Sequence, residues 1–146
     1  ANAYVQPLMS KYLRSAETKL GEAGFRCPLL LITSGGGLTD ADTAARLPVR
    51  LIESGPAGGV MLAESAARVL GATDVLSLDM GGTTTKVCVI KNGRAAATRQ
   101  FEVDRAERFK KHSGLPLRIP CLDLVEIGGG GGSIASQNAV GEISVG

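Results

Sequence analysis

Apolar residues recur at three- and four-residue steps from Val5 through Leu8, Met9, Tyr12, Leu13 and Ala16 to Leu20, which predicts an amphipathic helix over 5–22. Pro7 fits the first turn of that helix, and Gly21 or Gly24 its end. PLLLIT (28–33) is short and nearly all apolar, the pattern of a strand covered on both faces. SGGG (34–37) breaks it. Thr39 is a candidate N-cap for a short helix over DADTAARL, and VRLI (49–52) predicts a second short strand.

The helical period returns over 55–71, where Val60, Ala63, Ala67 and Leu70 make the expected buried stripe. Pro56 suits its start and Gly71 its stop, and Glu64 and Arg68 read as an i, i+4 pair on the solvent side. The period then shortens. DVLSLDM (74–80) and TKVCVIK (85–91) predict two strands joined by GGTT (81–84). Asn92-Gly93 is a hairpin signal, and 94–103 is the returning strand, giving three consecutive antiparallel strands. Residues 104–116 are charged and read as a surface excursion, whereas PCLDLVEI (120–127) is apolar enough for partial burial. After five glycines, SIASQ, a turn and GEISV predict a last small hairpin.

At 146 residues the chain is expected to form one domain, or a fragment of a larger subunit. Its 44% hydrophobic and 21% charged residues exclude an intrinsically disordered chain. A net charge of +2 is too small to imply nucleic acid or an anionic membrane surface. There is no 18-residue apolar stretch and no signal peptide. Cys27, Cys88 and Cys121 are far apart, with no C-x-x-C, and read as reduced, mostly buried thiols of a cytoplasmic protein. His112, in the polar run ERFKKHSG, reads as a surface residue rather than a catalytic one. Ala1 at the start and EISVG at the end read like cuts, although a removed Met and a natural end also fit.

Glycine changes the picture, because its 20 residues cluster. Clustered glycine means backbone held close to something, often a phosphate, or a flexible linker. In DMGGTTTK (79–86) a strand delivers Asp79, then Gly81 and Gly82 turn the chain and Thr83, Thr84 and Thr85 follow. Glycine amides and threonine hydroxyls grip phosphate oxygens, Asp79 can hold Mg²⁺ through water, and Lys86 adds a cation. A plain Gly-Gly hairpin is the alternative. ESGPAGGV (53–60) reads as a close packing contact or as an anion site at a helix start. Gly128, Gly129, Gly130, Gly131 and Gly132 with Ser133 form a loop around a nucleotide or a plain flexible loop.

The order of these pieces resembles the second half of an actin-like ATPase, a ribonuclease H-like α/β fold with a mixed sheet, antiparallel hairpin strands and flanking helices. SGPAGGV resembles its connecting helix, DMGGTTTK its second phosphate hairpin and GGGGGS its adenosine segment. SGPAGGV, LDMGGTTTKV and LDLVEIGGGGGSIA in this order, after a fitting YVQPLMSKYLRSAETKLGEAGFRCPLLLITSGGGL, resemble the hydantoinase/oxoprolinase family, in particular its ATP-using large subunit, hydantoinase A. Family hairpins commonly end Gly-Gly-Thr-Ser-Thr-Asp, so Thr84 and Lys86 depart from the pattern, and an acidic role at 86 does not carry over. Gly129 replaces the usual alanine, and Glu126 precedes the loop where family members often carry a histidine. The family's first phosphate motif, D-x-G-G-T-F-T-D, is absent from these residues.

The resemblance implies ATP and Mg²⁺ as cofactors and a small cyclic amide, such as a hydantoin or 5-oxoproline, as substrate. It also implies a second, hydantoinase B-type subunit and a homo-oligomer, while the small net charge and the lack of a long apolar stretch lead to the expectation of no nucleic acid and no membrane partner. Asp79 would hold the metal. Gly81, Gly82, Thr83, Thr84, Thr85 and Lys86 would hold the phosphates, and Gly128 to Gly132 with Ser133 would approach the nucleotide. The related acetone and acetophenone carboxylase subunits give an alternative activity, and a non-catalytic nucleotide- or partner-binding domain another. A chain with one jaw of the cleft is expected to expose apolar surface and to self-associate.

Overall fold

The computed structural model describes residues 1–103, 106 and 113–145; His112 and most of the charged excursion lie outside them. The chain divides into two compact units, 1–58 with 97–122 and 59–96 with 123–146.

In the first unit, α1 (Asn2–Glu22) begins earlier than its periodicity predicts, which places Pro7 inside the helix rather than in its first turn. The Asn2 side chain explains the early start. Its amide donates to the Arg46 carbonyl at 3.0 Å and its oxygen accepts from the Val49 amide at 3.2 Å, so the first helical residue is tied down. The inward line is narrower than expected. Leu13 is buried and Val5, Met9, Ala16 and Leu20 are half-buried, but Leu8 and Tyr12 are exposed.

β1 (Leu30–Ile32) and β2 (Leu38–Asp40) form an antiparallel ribbon, and the SGGG break is its turn, with Gly36 at φ +81°. Leu30 and Leu38 are exposed, so β1 is not the strand covered on both faces that its apolar run predicts. α2 (Ala41–Arg46) is capped by Asp40, not Thr39. The Asp40 carboxylate accepts from the Thr43 amide at 2.7 Å and the Thr43 hydroxyl at 2.9 Å, bonds that hold its pKa below the usual carboxylate value. That cap is therefore kept above the ordinary carboxylate range and lost as pH falls through the lowered value.

Residues 48–51 form a 3₁₀ turn, Pro48–Leu51, rather than the predicted strand. Pro48 opens it without a ladder donor. Its Arg50 carbonyl accepts from both the amide and the hydroxyl of the buried Ser34, at 2.7 and 2.6 Å.

α3 (Ser54–Leu70) starts in the first unit and continues in the second. Ala57, Val60 and Ala67 are its buried residues, whereas Ala63 is half-buried and Leu70 exposed, so the predicted stripe is shifted toward the helix start. Gly71, at φ +69°, ends it as expected. Glu64 is not a solvent-side partner of Arg68. Its carboxylate accepts the Ala95 amide and fastens α3 to the sheet.

The second unit is built on β3 (Val75–Met80) and β4 (Thr85–Lys91), antiparallel from Val75↔Ile90 to Met80↔Thr85. Asn92 (φ 52°) and Gly93 (φ 70°) make the expected tight turn into β5 (Arg94–Ala95). The predicted returning strand is not continuous. After β5 the chain passes to β6 (Ala97–Thr98) and β7 (Phe101–Val103), which pair in the first unit with β9 (Cys121–Leu122) and β8 (Leu115–Leu117). β10 (Val125–Ile127) then takes the part of the β4 edge that β5 leaves open, and β11 (Ala135–Gln137) with β12 (Ile143–Val145) forms the predicted last hairpin.

Period-two alternation splits this sheet into two unlike faces. Ser77, Cys88 and Ile90 are buried on the face that carries Asp79, toward α3. Leu76, Leu78, Met80, Val89, Val125 and Ile127 lie on the other face and are all exposed, as the expectation of bare apolar surface requires.

The cysteines are free, with Cys27 exposed and Cys88 and Cys121 buried. Burial pushes the Cys88 thiol above its ordinary value. A thiol reagent at pH 8 is expected to label Cys27 at once and the other two only on unfolding. Rapid labelling of all three in the folded chain contradicts this packing.

Candidate functional site

The site residues that the sequence picks out meet in the second unit. β3 and β4 are joined by residues 81–84, and the Gly81 amide donates to the Thr84 carbonyl at 2.9 Å. The amides of Gly82 and Thr83 make no hydrogen bond among the described residues, and both residues are exposed. Thr84 is half-buried. The hairpin therefore presents unpaired backbone donors to solvent, the raw material of an anion nest.

Asp79 stands near the end of β3, exposed, on the face toward α3. A Cβ built on Gly59 would lie 3.8 Å from its Oδ2, so the small residues of ESGPAGGV let this carboxylate reach the helix. The packing reading of that motif has support within the first unit too, where a Cβ on Gly58 would come within 3.0 Å of Ile32 Cδ1.

Lys86 is the cross-strand neighbour of Asp79 on one side and of Glu126 on the other. Its Nζ lies 3.6 Å from Glu126 Oε1. The three charges form a row across β3, β4 and β10, acid, base, acid. Glu126 was not a candidate in the sequence. Only the register places it beside Lys86, and β10 pairing with β4 is a contact distant in sequence.

The glycine loop packs directly on the hairpin. Gly131 donates its amide to the Gly81 carbonyl and Gly132 its amide to the Gly82 carbonyl, each at 2.9 Å. The Gly130 amide donates to Ser133 Oγ at 3.0 Å, and the Ser133 amide returns a bond to the Gly130 carbonyl at 2.9 Å. The buried Thr85 donates its hydroxyl to the Gly129 carbonyl at 2.6 Å. Its hydroxyl proton and the amides of Gly131 and Gly132 are thus engaged between loop and hairpin, the Gly130 amide is engaged within the loop, and Gly128 is exposed. With three of its five glycine amides hydrogen-bonded, this segment is not the plain flexible loop.

Among the described residues no group of three or more His, Cys, Asp or Glu side chains is placed to hold a metal. No helix among them is long and apolar enough to cross a membrane.

A family model for hydantoinase/oxoprolinase proteins matches residues 1–146. The chain belongs to the hydantoinase/oxoprolinase family. An uncharacterised protein of Methanocaldococcus jannaschii is 39% identical, over 99% of this chain and 22% of its own length. The caprolactamase alpha subunit of Pseudomonas jessenii is 29% identical, over 99% of this chain and 20% of its own. Among solved structures, acetone carboxylase in its nucleotide-free form, an enzyme of ATP-dependent acetone carboxylation, superposes with a TM-score of 0.73 at 25% identity. That match covers 94% of this chain and 18% of the carboxylase chain. This hydantoinase/oxoprolinase chain thus spans about a fifth of the length of these two relatives. Its fold is the mixed α/β of an actin-like ATPase domain, with antiparallel strands and flanking helices, as the motif order implies.

Proposed function

We propose that the chain forms one half of the ATP-phosphate site of an ATP-dependent enzyme that opens cyclic amides. The observation that carries this reading is the 81–84 hairpin, with unpaired Gly82 and Thr83 amides on the strand turn that follows Asp79. Caprolactamase among the relatives supports a lactam or a similar ring amide as substrate, such as a hydantoin or 5-oxoproline. A ring amide resists water at neutral pH, and phosphorylation of its oxygen makes it a better electrophile.

ATP would supply that phosphoryl group, with ADP as the leaving group, and Mg²⁺ would neutralise the phosphate oxygens. The donor set fits Mg²⁺ only in its usual mode, one protein carboxylate with the remaining positions left to water and phosphate. Asp79 is that carboxylate. The Gly82 and Thr83 amides and the Thr83 and Thr84 hydroxyls hold phosphate oxygens, with Gly81 turning the chain. Lys86, held against Glu126, adds positive potential beside Asp79. Thr85, Gly128 to Gly132 and Ser133 shape the site through the loop. The free thiols suit the cytoplasm. A relative named as an alpha subunit supports a partner subunit, taken here to be of the hydantoinase B type, and the exposed apolar row of Leu76, Leu78 and Met80 suits a homo-oligomer.

The likeness to acetone carboxylase favours a second reading, ATP-dependent carboxylation of a small ketone. The two separate in one assay. The whole protein, with its partner subunit, is given ATP and either a cyclic amide (caprolactam, hydantoin, 5-oxoproline) or acetone with bicarbonate, and phosphate release is measured. Release that depends on a cyclic amide is expected. Release that depends on the ketone and bicarbonate replaces the first reading with the second, and release with neither overturns both.

A further inference from the structure

The glycine loop and the hairpin are joined in a way that fixes where the hairpin amides point. Gly131 and Gly132 take the carbonyls of Gly81 and Gly82. In a trans peptide the C=O and the N–H of the same unit point in opposite directions. The unit that offers the Gly81 carbonyl to the loop therefore aims the Gly82 N–H away from it. The next unit, with the Gly82 carbonyl bound, aims the Thr83 N–H the same way. Two successive donors are held pointing outward, and the negative ends of both dipoles are turned inward and satisfied.

We propose that the glycine loop is a brace that orients the Gly82 and Thr83 amides toward an anionic oxygen, with Gly130 as its positioning residue. The anion is a terminal phosphate of the nucleotide, so the inference rests on the reading above and assigns the loop a different task within it. Gly130 is the tightest point of the contact. A Cβ there would stand 2.7 Å from the Gly81 oxygen, the Gly82 carbonyl carbon and the Thr83 nitrogen, all backbone atoms with no freedom to swing aside. At Gly132 the nearest atom would be the Gly82 oxygen at 3.0 Å, and at Gly131 the Gly81 oxygen at 3.8 Å. Requirement for glycine therefore falls in the order 130, 132, 131. Ser133 closes the loop on itself through the Gly130 amide and keeps that residue against the hairpin. Thr85 clamps the other end at Gly129.

The test uses the whole protein. ATP affinity is measured by calorimetry for the unsubstituted protein, for Gly130→Ala and for Gly21→Ala, a helix position with nothing within 4 Å. In parallel, hydrogen exchange with residue resolution follows the amides of Gly82, Thr83, Gly131 and Gly132. Gly130→Ala is expected to weaken ATP binding at least tenfold while Gly21→Ala stays within twofold. Gly131 and Gly132 are expected to exchange slowly without nucleotide, and Gly82 and Thr83 to gain protection only when ATP is added. A Gly130→Ala protein that binds ATP normally overturns the brace and leaves the phosphate site standing. If the unsubstituted protein binds no ATP, the phosphate reading falls, and this inference with it. If Gly130→Ala does not fold, exchange in the unsubstituted protein decides alone. Fast exchange at Gly131 and Gly132, or no ATP protection at Gly82 and Thr83, overturns the proposal.

Discussion

Asp79→Ala in the whole protein is expected to lower turnover by at least about a hundredfold, the loss typical of removing one charge-stabilising group from a phosphoryl- or acyl-transfer site. The same substitution is expected to leave the protein folded. Asp79 is exposed and makes no hydrogen bond among the described residues, so its loss opens no cavity and orphans no buried partner. Surface changes of that kind stay within about 0.5 kcal/mol. Its neighbour Lys86 keeps Glu126 as an ion-pair partner after the change. Asp79→Asn is expected to match the alanine variant, because charge rather than shape is what the role requires. Steady-state phosphate release, thermal unfolding and co-purification of the partner subunit are measured together. Activity within tenfold of the unsubstituted protein removes Asp79 from the site. Activity lost along with the fold makes it a structural residue. Full partner binding by a protein that never turns over, substituted or not, points instead to a binding domain.

Local chemistry made much of this legible from the residues. Asn92-Gly93 demanded a turn with two positive φ values, and it has them. DVLSLDM and TKVCVIK are short apolar-rich runs on either side of Gly-Gly, so the β3–β4 hairpin and its turn could be placed to within a residue. Gly71 stops α3 where an αL residue was needed. The failures share a cause, partners distant in sequence. VRLI has strand propensity, yet its carbonyl at Arg50 is claimed by Ser34, and Pro48 starts a 3₁₀ turn. Residues 94–103 read as one strand, but the β4 edge is divided between β5 and β10, and only the fold can make that division. Glu64 looked solvated because a helix period cannot see the Ala95 amide across the sheet. In the site, the residue types were legible and their bonding was not. Five glycines predict freedom, whereas three of their amides are fixed, two of them to the hairpin itself.

Ile90→Ala is expected to destabilise the chain by about 2–5 kcal/mol, and Val89→Ala by less than about 1 kcal/mol. The two residues are adjacent in β4 and of similar type, so propensity hardly distinguishes them. The pleat does. Ile90 is 1% exposed, on the face where Cys88 and Ser77 are also buried and Glu64 ties α3 to Ala95. Truncation there removes methyl and methylene contacts and leaves a cavity between a helix and a strand, both fixed by hydrogen bonds, which limits collapse into the space. Val89 is 53% exposed, level with Leu76 on the bare face, and its truncation leaves no void. Urea denaturation of the 146-residue chain gives both midpoints under identical conditions. Equal destabilisation by the two variants would mean that both faces of β4 are packed, and the exposed row of Leu76, Leu78 and Met80 would need a cover. A large loss at Ile90 alone places the structural weight of this unit on the α3 side of the sheet. Asp79 lies on that same side, so the packing that holds the sheet to α3 also sets where its carboxylate stands.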